Sequence, residues 1–494
     1  MASHDPGRFK VAPSQEEVRA QAQEDVLDLL DKCVEDAVQD VQKYAFVANA
    51  FTRDRKLSIE KLTRLLVTMG SGSIDRELSR AFPDPNERPT VSAFSQALAK
   101  LRSSFMEALL KRFNATDKHR LNLLNTLGLG KKPWRLLACD GTKVNVPARK
   151  GSRWRVSKKR GRRRKDGREA KQCYQMHANV CMDLLTKEFV ACTIQDPRHV
   201  NERAALIDIA SKIPEGENAL FICDRGYSGI NVYAWLNEIG VGYVIRSKCH
   251  GKTVLRQIDS LPDEELDVRM ELTVTTRRRY YQTHSDEDPM LVCKEIKKKP
   301  SETTKDSAYN YNKWDFGDMY HVSIRVVKFR INEPGEGEEW EVLVTNLPED
   351  EFPLESFHEL YHLRWGIEVG FRDLKYAIPT LYFHTNRDDG FVLEFWRSLL
   401  VHNVARRVVA AAEKRRRKKT KRRANQRGRK TLHVYKVNFK HCCFVLLEAM
   451  RSGHVDMDAI LEDVSSCVVA VRPGRSDKRR MVPKGAVAFT YRVA

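Results

Sequence analysis

The chain has no apolar run of 18 residues, so nothing in it reads as a membrane-spanning helix. It has no C-x₂-C pair among its 11 cysteines, and only Cys442 and Cys443 are close together. That spacing excludes a zinc ribbon and a disulfide framework, and the thiols read as reduced and mostly buried. No Gly-rich phosphate loop or Ser/His/Asp set occurs, so ATP chemistry is not implied. The first residues are polar and charged, without the apolar stretch of a secretory leader, and a cytoplasmic protein is expected. Negative charge is also in short supply. Asp and Glu number 66 against 87 Lys and Arg, leaving a net charge of +21 and a pI near 9.5. Such an imbalance points to a polyanionic partner.

What is present is enough to fold. Of 494 residues, 41% are hydrophobic, which is too much chain for one core and predicts two to four domains. The most informative pattern is Tyr361, Arg364, Glu368 and Lys375, a Y-(2)-R-(3)-E-(6)-K spacing. On a helix these positions share roughly one face, so a single carboxylate is flanked by a phenol, a guanidinium and an ammonium. Cationic groups around one acid suit metal-assisted chemistry on a phosphodiester. Taken alone, the helix is equally explained by an i, i+4 ion pair between Arg364 and Glu368.

Two further acids lie upstream. Asp140 follows the apolar run ending Leu136-Leu137-Ala138-Cys139 and precedes Gly141, and Asp224 follows Ala219-Leu220-Phe221-Ile222-Cys223 and precedes Arg225-Gly226. Both read as short buried strands that end in an acid and a glycine turn. Burying a carboxylate there is costly, and a hard divalent cation is the usual compensation, although a turn or cap role explains either residue singly.

Strand-Asp, strand-Asp and helix-Glu, with Tyr361, Arg364 and Lys375 around the last, resemble the DDE transposases of bacterial insertion sequences, in the group marked by the YREK signature. The resemblance spans roughly residues 90 to 400. It implies a transposase in which Asp140, Asp224 and Glu368 hold Mg²⁺, with Mn²⁺ as a possible substitute, and in which Tyr361, Arg364 and Lys375 contact DNA phosphates. It further implies cleavage of transposon-end DNA, a hairpin intermediate, and joining of the freed 3′-OH to target DNA. The implied partners are double-stranded DNA (terminal inverted repeats and target) and a second copy in a homodimeric synaptic complex, with no membrane. The implied location is bacterial cytoplasm, at the nucleoid. A transposase-derived DNA-binding protein without catalysis, or a structure-directed nuclease, are the alternatives.

The rest of the chain fits an α/β protein with an RNase H-like core, a β-rich insertion and an all-helical N-terminal domain. Residues 1–118 read as that helical domain, suited to recognising transposon ends. Ser14 to Glu17 is a capping box before Val18–Val41, Ser58–Met69 is a second helix, and Thr90 or Ser92 caps a helix through Leu109. Residues 119–247 read as three strands, a helix, a strand, a helix and a strand, the order of an RNase H-like core, with the first strand from Arg135 to Val146 holding Asp140. The insertion is expected over 248–340, the second part of the core with the signature helix over 341–412, a basic linker over 413–430, and a tail for protein contact over 431–494. Two tracts are strongly basic, with twelve Lys or Arg in residues 149–168 and twelve in 414–430. Both are expected to be too polar to pack. Lys158, Lys159, Arg160, Arg162, Arg163 and Arg164 of the first are the expected phosphate contacts near Asp140. Trp340 stands where relatives carry a tryptophan that stacks on a displaced base, with Trp314 as its rival. His177, His199 and His384 read as structural.

Overall fold

A computed structural model describes residues 26–116, 134–156, 173–294, 314–331, 339–378, 382–427, 435–452 and 456–471, except 54, 215, 250 and 252–254. Of residues 421–427 it describes the backbone alone. The first described segment is helical, with α1 (Val26–Gln39), α2 (Ile59–Thr68), α3 (Ile74–Ala81), α4 (Val91–Ala99) and α5 (Ser104–Ala115). Caps fix where these begin. Ser58 Oγ accepts from Lys61 N, Ser73 Oγ from Arg76 N, and Thr90 Oγ1 from Ala93 N. The Ser14 capping box lies outside the described residues. α3 answers to no expected element, because Leu78 is its one buried apolar side chain. The single helix expected from Thr90 is two. Between them Phe46 N donates to Lys100 O and Arg102 N to Tyr44 O, so backbone groups that would continue the helix pair with residues 44–46 instead.

A mixed nine-stranded sheet follows, ordered β3-β2-β1-β4-β5-β9-β8-β6-β7. Its strands are β1 (Arg135–Asn145), β2 (Gln175–Asp183), β3 (Phe189–Gln195), β4 (Ala219–Cys223), β5 (Gly242–Ser247), β6 (Leu266–Thr275), β7 (Leu291–Cys293), β8 (Met319–Arg330) and β9 (Trp340–Thr345). β1, β4 and β5 run parallel to one another, while β2 and β3 form an antiparallel extension on one side. On the other side β9 is antiparallel to β5 and β8 is antiparallel to β9. The strands of the expected insertion therefore extend the same sheet. Helices α6 (Glu202–Ala210) and α7 (Ile230–Glu238) connect the parallel strands, and short helices α8 (Arg256–Asp259) and α9 (Arg278–His284) lie in the extension.

Alternation along the strands divides the core in two. Leu137, Cys139, Phe221, Cys223 and Ile245 pack with Leu206, Ile209, Tyr233 and Leu236 of α6 and α7. On the opposite face Ala138, Val180, Met182, Leu220 and Ile222 share a core with the N-terminal helices and with α10 (Ser356–His362), α11 (Trp365–Tyr376) and α12 (Asp388–Arg427). At 40 residues α12 spans about 60 Å. It runs past residue 412, where the second part of the core was expected to end, and through most of the second basic tract. Arg415 Nη1 lies 2.6 Å from Asp458, and Lys419 Nζ pairs with Glu462, so acids of a neighbouring helix offset the repulsion that would leave this tract unpacked. That helix is α14 (Met457–Ser466). It follows α13 (Phe439–Ser452), and a small β10 (Tyr435–Val437) and β11 (Val468–Ala470) ribbon flanks the pair. All eleven cysteines are free thiols. No helix among the described residues is long and apolar enough to cross a membrane.

Candidate active site

β1 and β4 lie side by side, with Cys139 opposite Cys223, so the next residue on each is an acid, Asp140 and Asp224. Asp140 does not end its strand, and the turn expected after it is absent. β1 runs on because β2 pairs with it, Gly141 opposite Asn179 and Thr142 opposite Ala178. β4 does stop at Cys223, and Asp224 turns the chain, its Oδ1 accepting from Gly226 N at 2.8 Å. Asp140 Oδ1 accepts from Gly141 N at 2.8 Å. Burial pushes the Asp140 carboxyl up to about 7, reinforced by the charge of Asp224, while the Gly141 N–H and Arg364 act against the rise.

The four signature positions are not on one unbroken helix. Tyr361 is in the last turn of α10, Arg364 caps α11, Glu368 is in the first turn of α11 and Lys375 in its last. Between the two helices Leu363 N donates to Leu360 O, Arg364 N to Tyr361 O and Gly366 N to Leu363 O. This is i to i−3 bonding that tightens the joint while the dihedrals stay helical. The Arg364 Nη2 lies 3.2 Å from Glu368 Oε1, and the guanidinium faces the Trp365 ring at 5.0 Å and the Tyr361 ring at 5.7 Å. Burial works against the Arg364 charge, but Tyr361, Glu368 and Asp140 outweigh it and hold its pKa above the usual value. Lys375 Nζ donates to Thr142 Oγ1 at 2.6 Å, which pins the end of α11 to β1 two residues from Asp140. Tyr361 is buried and its hydroxyl has no hydrogen-bond partner among the described residues. Burial pushes that phenol up to about 12.

All three acids offer oxygen, the donor that Mg²⁺ takes. Two carboxylates at adjacent strand positions, one of them pushed up to about 7, fit a hard divalent cation, whose charge would let both ionise. The third, Glu368, accepts from Arg364. Among the described residues no three His, Cys, Asp or Glu side chains converge closely enough to hold a metal ion.

Several neighbours were not legible as site residues in the sequence. Glu202 opens α6, capped by Asn201, and its charge bears on Asp140. His177 of β2, read as structural, has Nε2 3.2 Å from Glu202 Oε1. Arg246 Nε lies 3.0 Å from Glu341 Oε1, and both act on Tyr361. The only sequence signal for any of them was the helix start at Asn201. Of the other histidines, His384 is a buried partner of Glu394 at 2.9 Å, and His199 closes a turn on Asp196. Trp340 opens β9 half-buried, its ring 5.1 Å from Lys328 Nζ and 5.3 Å from the Arg330 guanidinium. Trp314, its rival, is buried among Phe316 and Tyr320, and its indole donates to Gly317 O. Lys158, Lys159, Arg160, Arg162, Arg163 and Arg164 lie outside the described residues.

No curated protein matches the chain. Among solved structures it is similar to one chain of a piggyBac transposase synaptic complex with hairpin DNA, at 11% identity over 93% of this chain and 88% of that one. The TM-score of that likeness is 0.42, too low to carry an argument. The family comparison is decisive by itself. Residues 132–404, more than half of the chain and the whole stretch from β1 past the signature helix, match the model of the transposase DDE domain. The protein is therefore a member of the DDE-domain transposase family.

Proposed function

We propose that this protein cuts the ends of a mobile DNA element and joins them to target DNA, with Asp140, Asp224 and Glu368 as its catalytic acids. The observation that carries the reading is the meeting of Asp140 with Asp224 and with Arg364, which is itself bonded to Glu368, inside a matched DDE domain. The strand order β3-β2-β1-β4-β5, with β2 alone antiparallel to the other four, supports an RNase H-like core. The spacing of Tyr361, Arg364, Glu368 and Lys375 supports the YREK group, and with it a hairpin step. The helices before β1 would serve end recognition, and residues 431–494 contact between proteins.

In the mechanism, Asp140 and Asp224 would hold a divalent cation, with Glu368 as the further acid available to it. When bound, it would supply the Lewis acidity that favours the attacking and the leaving oxygen. In cleavage, water oxygen bonds to phosphorus and the bond to the 3′-oxygen breaks, leaving a 3′-OH and a 5′-phosphate. In joining, that 3′-OH attacks a target phosphodiester and displaces the target's own 3′-oxygen, so one ester bond replaces another. Arg364 and Lys375 supply positive charge to phosphate oxygens, and Tyr361 offers its hydroxyl as a donor. Outside the core, a net charge of +21 supports a DNA partner, and two ends imply two copies of the chain.

The test uses pre-cut and uncut end duplexes with Mg²⁺. Joining by the wild-type chain supports a transposase. Cleavage without joining would instead mean a structure-directed nuclease, and binding alone a transposase-derived DNA-binding protein. Asp140→Asn, Asp224→Asn and Glu368→Gln should each abolish both reactions and leave end binding intact. An Asp224→Asn chain that still nicks would overturn the assignment.

A further inference from the structure

Two glycines stand next to the strand acids, and both frame the same third side chain. A Cβ on Gly141 would overlap Oε1 of Glu202 and sit 2.9 Å from Nε2 of His177. A Cβ on Gly226 would lie 3.0 Å from Asp224 Oδ1 and 3.2 Å from Glu202 Oε2. One oxygen of Glu202 thus packs onto the strand beside Asp140, and the other shares a small space with Asp224. Behind it stands His177, only 4% exposed. Its Nε2 is 3.2 Å from Glu202 Oε1 but off the line of a hydrogen bond, and neither ring nitrogen has a hydrogen-bond partner among the described residues. An imidazole buried without hydrogen bonds is costly and has to be accounted for.

We infer that Glu202 is a fourth carboxylate of the Asp140–Asp224 site, held by His177 where it supplies an oxygen to the divalent cation. The inference rests on the metal reading of that site. Glu202 sits at the start of α6 with its side chain about one-third exposed, so it can adjust toward a cation while α6 stays in place. The charge of Glu202 already bears on Asp140. His177 acts through Glu202 as a positioning residue, in the manner of the outer partners that orient metal-binding side chains.

Mn²⁺ binding to the full chain, measured calorimetrically without DNA, tests this apart from catalysis. Glu202→Gln should lower Mn²⁺ affinity roughly tenfold or more. Gly141→Ala keeps every acid and crowds the end of Glu202 together with the His177 ring that positions it, so it should have a similar effect. His177→Phe keeps a buried ring and removes its nitrogens. It should weaken binding in the wild-type background and add nothing in Glu202→Gln, a coupling that a purely structural role would not produce. Unchanged melting temperatures in these variants exclude misfolding as the cause. Asp140→Asn separates the two readings. If it weakens Mn²⁺ binding while Glu202→Gln and Gly141→Ala do not, Glu202 is no part of the site. If Asp140→Asn also has no effect, the metal reading itself fails.

Discussion

Replacing Arg364 by Lys isolates the guanidinium from its charge. Arg364 is 8% exposed, bonds Glu368 at 3.2 Å and lies against the Trp365 ring at 5.0 Å, so it is stripped of most water and held flat. A lysine there keeps the positive charge near Asp140 but has no planar fork for two phosphate oxygens at once. Removing a charge-assisted hydrogen bond in such a setting costs about 1.5–3 kcal/mol. If that bond is made only in the transition state, cleavage slows roughly 10- to 150-fold. The two residues have similar helix propensity, so α11 should remain intact. The assay is single-turnover cleavage of a duplex that mimics the element's end, with Mn²⁺ binding measured in parallel. Slow cleavage with unchanged Mn²⁺ affinity is the expected pair of results. Cleavage at the wild-type rate would show that Arg364 does no more than pair with Glu368.

Two other outcomes bear on the scaffold and on DNA. Glu77 is 2% exposed, accepts from Gly70 N at 3.0 Å and Gly72 N at 2.9 Å, and faces Arg451, which ties α3 to α13. Glu77→Gln leaves the buried Arg397 and Arg451 without that counter-charge and should cost about 3–5 kcal/mol, read as a fall in melting temperature of about 6–10 °C. Burial alone would raise the Glu77 pKa, but the two N–H bonds and Arg451 hold it below the usual value. Its contribution is therefore present above the unfolded pKa of about 4.3 and lost as pH falls through the lower folded value, so calorimetry from pH 3 to 7 should show a steeper acid loss in wild type than in Glu77→Gln. Neutralising Lys158, Lys159, Arg160, Arg162, Arg163 and Arg164 should weaken binding to all DNA sequences alike and flatten the salt dependence by roughly 0.9 for each phosphate no longer neutralised; an unchanged slope in a titration from low to high salt would show the tract to be a bystander.

The parallel strands and their helices were legible because their signals are local. Ala219–Cys223 is an unbroken apolar run, Asn201 caps a periodic helix, and β5 begins just after the turn at Gly240. What could not be read was set by partners far along the chain. The strand expected from Arg135 to Val146 matches β1 closely, but the glycine turn expected after Asp140 is absent because β2, roughly 40 residues on, pairs with Gly141. The helix expected from Thr90 breaks because residues 44–46 take its backbone bonds. The second basic tract reads as too charged to pack, yet Asp458 and Glu462 lie beside it. The acids Asp140, Asp224 and Glu368 were visible through their spacing. Glu202 was not, because nothing in Asn201-Glu202-Arg203 says that α6 starts over the ends of β1 and β4.

The electrostatics explain why the site belongs at this place in the sheet. Parallel neighbours bring the residues after Cys139 and Cys223 to one level, so acids placed there are forced together whatever their separation in sequence. The penalty is visible in Asp140, pushed up to about 7 by burial and by Asp224. The protein has a net charge of +21, and among the described residues Arg364 is the cation that acts on Asp140, while Lys375 donates to Thr142. A structural ion pair would have closed the site with a second arginine. In the proposed chemistry, acids held under-neutralised would favour an incoming divalent charge, and the remaining positive charge of the chain would serve to hold the DNA.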